Sequence, residues 1–376
     1  MTAKNEAYSL PSEPMLFQPI TLGHITLSHR IALAPMMRCR ANANHVPLAI
    51  TIEYFAQRAS TPGTLLITDA CIIHPKVGGY AHAPGIYTDE QITAWKRVVD
   101  AVHARGSYIV LQLWALGRAA SPQVLAAEGG YDYVAASAIP LSSSLNTPRA
   151  LRIEKIQEIP KMFATAARNA VYKAGFDGVE IHGANGYLLD GFLQDVTNVR
   201  EDEYGGSVEN RCRLTLEVVE AVAAAVGQER TALRCSAFSS YLEMGMKNPY
   251  PTFTYLVTRL KDHYPDLMYL HFTEPHMDGT DDAHTPFTED VGSANDFVRR
   301  VWAPRPFLSA GGYTRETALY VTQKYGDVIA FGRYFISNPD LVYRLREGLP
   351  CSGYNRDTFY TPESGQGYID YASTRP

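Results

Sequence analysis

Residues 178–187 read Gly178-Val179-Glu180-Ile181-His182-Gly183-Ala184-Asn185-Gly186-Tyr187. The run from Gly178 to Ile181 has the character of a buried strand, and His182, Asn185 and Tyr187 follow at spacings i, i+3 and i+5. Packing alone gives no reason for two hydrogen-bond donors and a phenol to gather where a strand ends. Groups of these types can polarise a substrate oxygen and supply a proton, which makes this strand end a candidate active site.

Working outward, seven further β-branched or apolar runs have the same form: 31–34, 64–68, 108–113, 232–236, 268–272, 307–310 and 328–332. A loop and a helix-like stretch follow each, the pattern of parallel strands joined by right-handed crossovers. With residues 178–182 the strands number eight, and a single closed (β/α)8 TIM barrel with long βα loops accounts for eight better than two doubly wound sheets.

Helix signals agree. Thr88 is placed to cap a helix over 89–104, and Ser207 one that ends at Gly227. The order Asn338-Pro339-Asp340 offers a cap, then proline at the first helical position. Apolar positions Ile156, Ile159, Phe163, Ala167 and Ala170 fit a helix running to Gly175, yet Pro160 lies inside the pattern. Proline in a helix interior costs about 3 kcal/mol, so the helix either starts near Ile159 or kinks there. The whole chain, 1–376, is expected to be one barrel with a short N-terminal extension over about 1–15. Two stretches are long and irregular, 128–148 and 274–294, and the second is positioned to form either a lid or a plain surface insertion.

A chain of 376 residues, 46% hydrophobic, can bury a large core. A net charge of −5 provides no electrostatic footprint for nucleic acid or an anionic membrane surface. The five cysteines are odd in number and scattered, without zinc-type spacing, so no disulfide framework and no metal site is expected. The N-terminal residues lack an apolar signal core, and no run reaches transmembrane length. A cytoplasmic protein, monomer or homodimer, is the expectation.

Strands seven and eight end in Ala310-Gly311-Gly312-Tyr313 and Phe331-Gly332-Arg333-Tyr334. Glycines there let backbone N–H groups approach a ligand, and in this fold the loops after these strands often hold phosphate. Arg333 adds a charge suited to that anion, although turn chemistry alone would also explain either glycine pair. Gln112 and Arg234 are polar groups inside apolar strands. A buried arginine needs an anionic or carbonyl partner, whether a ligand or an ion pair within the barrel.

The stretch from His182 to Leu189, followed by Asp202-Glu-Tyr-Gly-Gly-Ser-Val-Glu-Asn-Arg211, resembles the signature of the old yellow enzyme family of flavin-dependent ene-reductases. Glu53-Tyr-Phe-Ala-Gln-Arg58, residues 63–68, Gln112-Leu-Trp114, residues 331–341 and Tyr368-Ile-Asp-Tyr371 agree, so the resemblance runs from about Phe17 to Tyr371. Within the family the chain resembles the fungal branch that includes ergot-alkaloid chanoclavine-aldehyde reductases and other secondary-metabolism members. The resemblance implies non-covalent FMN, with NAD(P)H as hydride donor and an enone or enal as substrate. It places His182 and Asn185 on the substrate carbonyl oxygen and Tyr187 as proton donor to the α-carbon. Pro35, Met37, Ala70, Gln112, Arg234, Gly311, Gly312, Gly332 and Arg333 fall on flavin positions, and Trp114 and Tyr360 on substrate-pocket positions. A redox-neutral double-bond isomerase is the alternative, and a flavin-binding protein without turnover a third reading. In the ergot branch isomerisation goes with loss of the tyrosine donor, whereas Tyr187 is present.

The sequence departs from the family in three places. Ala237 stands where Ser-Pro is the familiar pair, and Ala70 replaces the commoner glycine. Met37 stands where this branch usually has threonine, whose hydroxyl donates to flavin O4. Methionine has no donor, and O4 gains negative character on reduction. Losing a hydrogen bond of about 1.4 kcal/mol to the reduced form lowers a two-electron potential by roughly 30 mV. Alternatively, Met37 only packs against the ring and water meets O4. The first account predicts slower flavin reduction by nicotinamide. It also predicts that Met37→Thr raises the midpoint potential in a spectroelectrochemical titration, and an unchanged or lowered potential would refute it.

Overall fold

The computed structural model describes residues 13–275, 277–278, 281–282 and 294–374. Eight parallel strands close into a barrel in chain order: β1 (Ile31–Leu33), β2 (Leu65–Ile72), β3 (Tyr108–Trp114), β4 (Gly178–Gly183), β5 (Thr231–Cys235), β6 (Tyr269–Thr273), β7 (Phe307–Ala310) and β8 (Val328–Phe331). The ladder of β8 with β1, Ile329 opposite Ile31, completes the circle. All eight expected strands are present, with ends shifted by a few residues at most apart from β2, which runs on to Ile72.

The helices that follow the eight strands in turn are α1 (Ile50–Arg58), α2 (Asp89–His103), α3 (Ile159–Arg168), α4 (Val208–Val226), α5 (Tyr250–His263), α6 (Asp296–Trp302), α7 (Arg315–Tyr325) and α8 (Leu341–Glu347). Their apolar faces cover the outside of the barrel in one continuous core that includes Trp95, Phe163, Val219, Leu256 and Val321. Each such side chain removed from water contributes about 1.5–3 kcal/mol before chain entropy is set against it. Helix starts follow the sequence signals. Thr88 and Gln91 form a reciprocal capping box on α2, and Ser207 accepts from the Asn210 N–H at 3.2 Å. Each cap is worth about 1 kcal/mol.

Pro160 is harmless because α3 begins at Ile159, which leaves the proline in the first turn where its missing N–H has no partner to lose. Ile156 belongs instead to a separate short helix, Ile153–Ile156. The α3 helix continues as a π-helical turn, Asn169–Ala174, closed by Gly175. One cap expectation is corrected. The α8 helix begins after Asp340, and the Asn338 amide instead donates to the carbonyls of Tyr334 and Ser352 and accepts from the Ser352 N–H. It staples two loops, so its oxygen is unavailable for a helix start.

A hairpin, Ile20–Leu22 with Ile25–Leu27, plugs the N-terminal mouth of the barrel. Its Leu22, Ile25 and Leu27 pack on the interior residues Ala32, Leu65, Val110 and Val328. With that end sealed, a ligand can enter only from the C-terminal face. The expected N-terminal extension and the candidate lid over 274–294 fall mostly outside the described residues. Among the described part of the latter, Met277–Asp278 pairs antiparallel with Asp281–Asp282.

His29 sits beneath β1, fully buried, with Nδ1 accepting the Ile31 N–H at 3.2 Å and Nε2 3.0 Å from the Thr64 hydroxyl. Burial and the nearby Arg346 charge lower its pKa to about 3. The unfolded chain, with an ordinary imidazole near 6.5, therefore binds a proton that the folded barrel refuses, so acid favours unfolding. Between pH 7 and pH 5 this one group withdraws about 2 kcal/mol of stability. Urea unfolding at the two pH values should show a smaller loss in His29→Gln than in the parent; an equal loss would mean that His29 is not the acid-sensitive group.

Candidate active site

The C-terminal ends of the strands surround a cavity of about 490 Å³. Every site residue expected from sequence lines it: Pro35, Met37, Ala70, Gln112, Trp114, His182, Asn185, Tyr187, Arg234, Gly311, Gly312, Gly332, Arg333 and Tyr360. The cavity also takes in residues that sequence reasoning missed, above all Tyr80, Tyr241, Thr273, Tyr354 and Phe359.

The wall from β4 carries the polar cluster. His182 is fully buried, and its Nδ1 accepts the Ala184 N–H at 3.4 Å. Burial and the Arg234 charge hold its pKa well below the ordinary value. The ring is therefore neutral, and with Nδ1 acting as acceptor its proton belongs on Nε2. Trp114 and Tyr187 pack against this ring, with Tyr187 centred 4.9 Å from His182 and 4.8 Å from Trp114, edge to face in both cases. Burial among the phenols of Tyr241, Tyr80 and Tyr360 keeps the Tyr187 hydroxyl protonated far above its usual range.

Between His182 and Tyr187 the chain makes a sharp turn. Asn185 lies in the left-handed region (φ 56°), as does Gly186 (φ 75°), where a side chain would collide with Leu242 and Met244. The Asn185 N–H donates to the Ser236 hydroxyl beyond β5 at 2.8 Å. Asp190, with no exposed surface, accepts the Gly186 N–H at 2.8 Å and the Gln194 amide at 2.9 Å. This carboxyl group, its pKa pushed up to about 7 by burial, pins the turn from below. Its signal in the sequence is faint, an acid four residues after a glycine.

On the floor, Arg234 is almost wholly buried; one Nη lies 3.4 Å from the Thr273 hydroxyl and Nε has no hydrogen-bond partner. Gln112 lines the same cavity from two strands away, with its amide nitrogen donating to Glu180 at 2.7 Å. In β2 a bulge between Ile67 and Ala70 interrupts the ladder to β3 and turns Ala70 toward the cavity, while the Thr68 hydroxyl accepts the stranded Gln112 N–H. Asp69 in the same bulge accepts the Arg38 N–H at 2.8 Å, which fixes the loop that carries Met37. Met37, like Tyr80 and Tyr187, packs against the buried cluster that contains Ala70 and Trp114. Across the cavity, Gly311 and Gly312 both have positive φ, and a side chain at Gly311 would strike Glu274.

A sequence profile described as the NADH:flavin oxidoreductase / NADH oxidase family matches residues 15–352. The chain belongs to that family. It is 51% identical over 362 residues to a chanoclavine-I aldehyde reductase of Penicillium roqueforti, covering 95% of this chain and 96% of the relative. It is 46% identical over 362 residues to a probable inactive reductase of Epichloe festucae var. lolii, covering 95% and 94%. Among solved structures, old yellow enzyme from Pichia sp. AKU4542 superposes with a TM-score of 0.87 at 37% identity, covering 96% of this chain and 95% of that one. As a member of this FMN-dependent family the chain is a flavin-dependent NAD(P)H oxidoreductase with the (β/α)8 fold.

The cavity fits such a group. The unpaired Arg234 Nε is a buried donor that needs an acceptor opposite it, which the pyrimidine edge of a flavin would supply. The glycines after β7 and β8 leave backbone open where a phosphate has to come close. Among the described residues no group of His, Cys, Asp or Glu is placed to hold a metal ion.

Because Asp190 holds the turn that presents Asn185 and Tyr187, Asp190→Ala is expected to leave flavin content intact and slow alkene turnover between ten- and a hundred-fold. Asp190→Asn, whose side-chain oxygen can still accept the Gly186 N–H, should recover most of the loss. Equal defects in the two variants would rule out a positioning role.

Proposed function

We propose that the protein reduces the activated C=C bond of an α,β-unsaturated aldehyde or ketone with NAD(P)H in fungal secondary metabolism, as a single FMN-binding barrel spanning the chain. When bound, FMN carries hydride from the nicotinamide to the β-carbon of the alkene. The observation that carries the reading is the neutral His182, its Nε2–H available to the cavity, set edge-on to a protonated Tyr187 above a floor that holds Arg234.

The roles follow from the chemistry of each group. His182 Nε2–H and the Asn185 amide together hold the substrate carbonyl oxygen and stabilise the enolate charge that develops there. One such donor is worth about 3–4 kcal/mol in the transition state. A neutral imidazole suits this task because it donates without surrendering its proton. Tyr187 delivers the proton to the α-carbon; a phenol is a weak acid, but an enolate carbon is basic enough to take its proton. Trp114 and Tyr360 bound the substrate space. Gln112 and Arg234 hold the flavin edge, with Pro35, Met37 and Ala70 against the ring and Gly311, Gly312, Gly332 and Arg333 at the phosphate.

A small enone or enal is the proposed partner, met in the cytoplasm by a monomer or homodimer. The acidic balance of the chain disfavours nucleic acid, and no described helix is long and apolar enough to cross a membrane. The presence of Tyr187, held in its protonated form, favours net reduction over isomerisation.

The absorption spectrum of the purified protein, followed by anaerobic NADPH titration with and without 2-cyclohexenone, tests the reading. Bleaching by NADPH and recovery on adding the enone, at one NADPH per product, supports it. Conversion with only catalytic NADPH would establish the isomerase, and absence of bleaching would point to a binding protein. In stopped-flow measurements Tyr187→Phe should slow the enone step by roughly a hundredfold or more while leaving flavin reduction by NADPH unchanged.

A further inference from the structure

Beneath the cavity floor lies an ionisable group to which the proposed chemistry gives no task. Glu180 occupies the middle of β4 with no exposed surface. The barrel register sets it level with Gln112 on β3, and sets His182 and His271 level with Arg234 on β5. One carboxylate oxygen accepts from the Gln112 amide nitrogen at 2.7 Å, and the other lies 2.8 Å from His271 Nδ1.

We propose that Glu180 is a positioning residue that locks the Gln112 side chain with its amide oxygen toward the cavity, so that the floor recognises the imide N–H of the flavin ring. The inference rests on the flavin reading above. A carboxylate only accepts hydrogen bonds, so the NH₂ end of Gln112 has to face it, and the planar amide then turns its oxygen the other way. Flipping the amide would set two oxygens face to face in a site without water contact.

Two further features keep the lock in place. Burial alone would push the Glu180 carboxyl up, but the neighbouring His271, Arg234 and Gln112 outweigh it and hold the group below its ordinary range. His271 is also shifted down, in its case by burial, so it serves as a neutral donor from Nδ1. The negative charge thus balances the Arg234 guanidinium and does not pair with a second cation. The flavin imide N–H lies between two carbonyls, and an acceptor on the floor is what distinguishes it from either neighbour.

A merely structural counter-ion for Arg234 would be a simpler role for Glu180. The two differ in what happens when the carboxylate becomes an amide, because Glu180→Gln removes both the charge and the rule on orientation: an amide, unlike a carboxylate, can present its NH₂ end to the Gln112 oxygen and so permits the flipped amide.

The test compares FMN with its N3-methyl analogue, which lacks the imide proton, on deflavinated protein, with dissociation constants read from quenching of flavin fluorescence. The parent should prefer FMN by about tenfold or more, the value of one good hydrogen bond. E180Q should reduce that preference to within about threefold, and Q112L should do the same. The double variant should show no further loss, because both changes remove one recognition element. E180Q that retains the parent's preference overturns the proposal, even if it is less stable. Should E180Q fail to fold, Q112L decides whether the acceptor that Glu180 orients exists: retention of the preference overturns the proposal, and its loss supports the Gln112 acceptor on which the lock acts. Failure of the parent to bind FMN would instead refute the flavin reading itself.

Discussion

A guanidinium buried at the mouth of a closed barrel is the constraint on which the site depends. Arg234 cannot shed its proton and cannot reach bulk water, so the surrounding groups are arranged to suit it. Glu180 supplies the opposite charge one strand away, and Thr273 receives a weak hydrogen bond. The same positive charge reaches His182 and, together with burial, keeps that ring neutral. A single arginine thus both offers an unpartnered donor to a guest and helps to fix the protonation of His182, the proposed substrate-oxygen donor.

The second constraint is geometric. The turn from His182 to Tyr187 packs two positive-φ residues into a few positions, a conformation that a free loop would not hold. It persists because its N–H groups are accounted for on both sides, by Ser236 from the next strand and by Asp190 from the helix that follows. Strand, turn and helix therefore act as one rigid unit, and Tyr187, the proposed proton donor, is tied to both sides of it, its N–H on the Ala184 carbonyl and its carbonyl on the Gly191 N–H.

Much of this was legible in the residues. Parallel strands covered on both faces read as short unbroken apolar runs, and the eight of them are plain along the chain. The polar site residues stood out because each interrupts or ends such a run, as Gln112 and Arg234 do. The identity of the flavin came from resemblance and not from spacing. What stayed hidden depends on conformation beyond one strand. Glu180 lies on the same strand face as His182, two positions away, yet its partner His271 is contributed by β6, far along the chain. Tyr241 reaches the cavity from a loop where Leu242 and Glu243 both take positive φ, which neither residue type announces. Asn338 looked like a helix cap because the sequence cannot reveal that Ser352 returns to claim its amide.

The entrance, finally, has a chemical character of its own. Tyr80, Tyr241, Tyr354 and Tyr360 ring the cavity, and burial pushes the Tyr360 hydroxyl up to about 12 and that of Tyr80 higher still. Those two phenols therefore stay protonated at any pH in a living cell, and the Arg333 guanidinium, 5.4 Å from the centre of the Tyr354 ring, adds a positive charge beside them. A doorway of this kind neither repels an anionic dinucleotide nor retains a cationic or neutral natural product. Guests of opposite sign can pass in turn through one opening, and discrimination between them falls to the depth of the pocket.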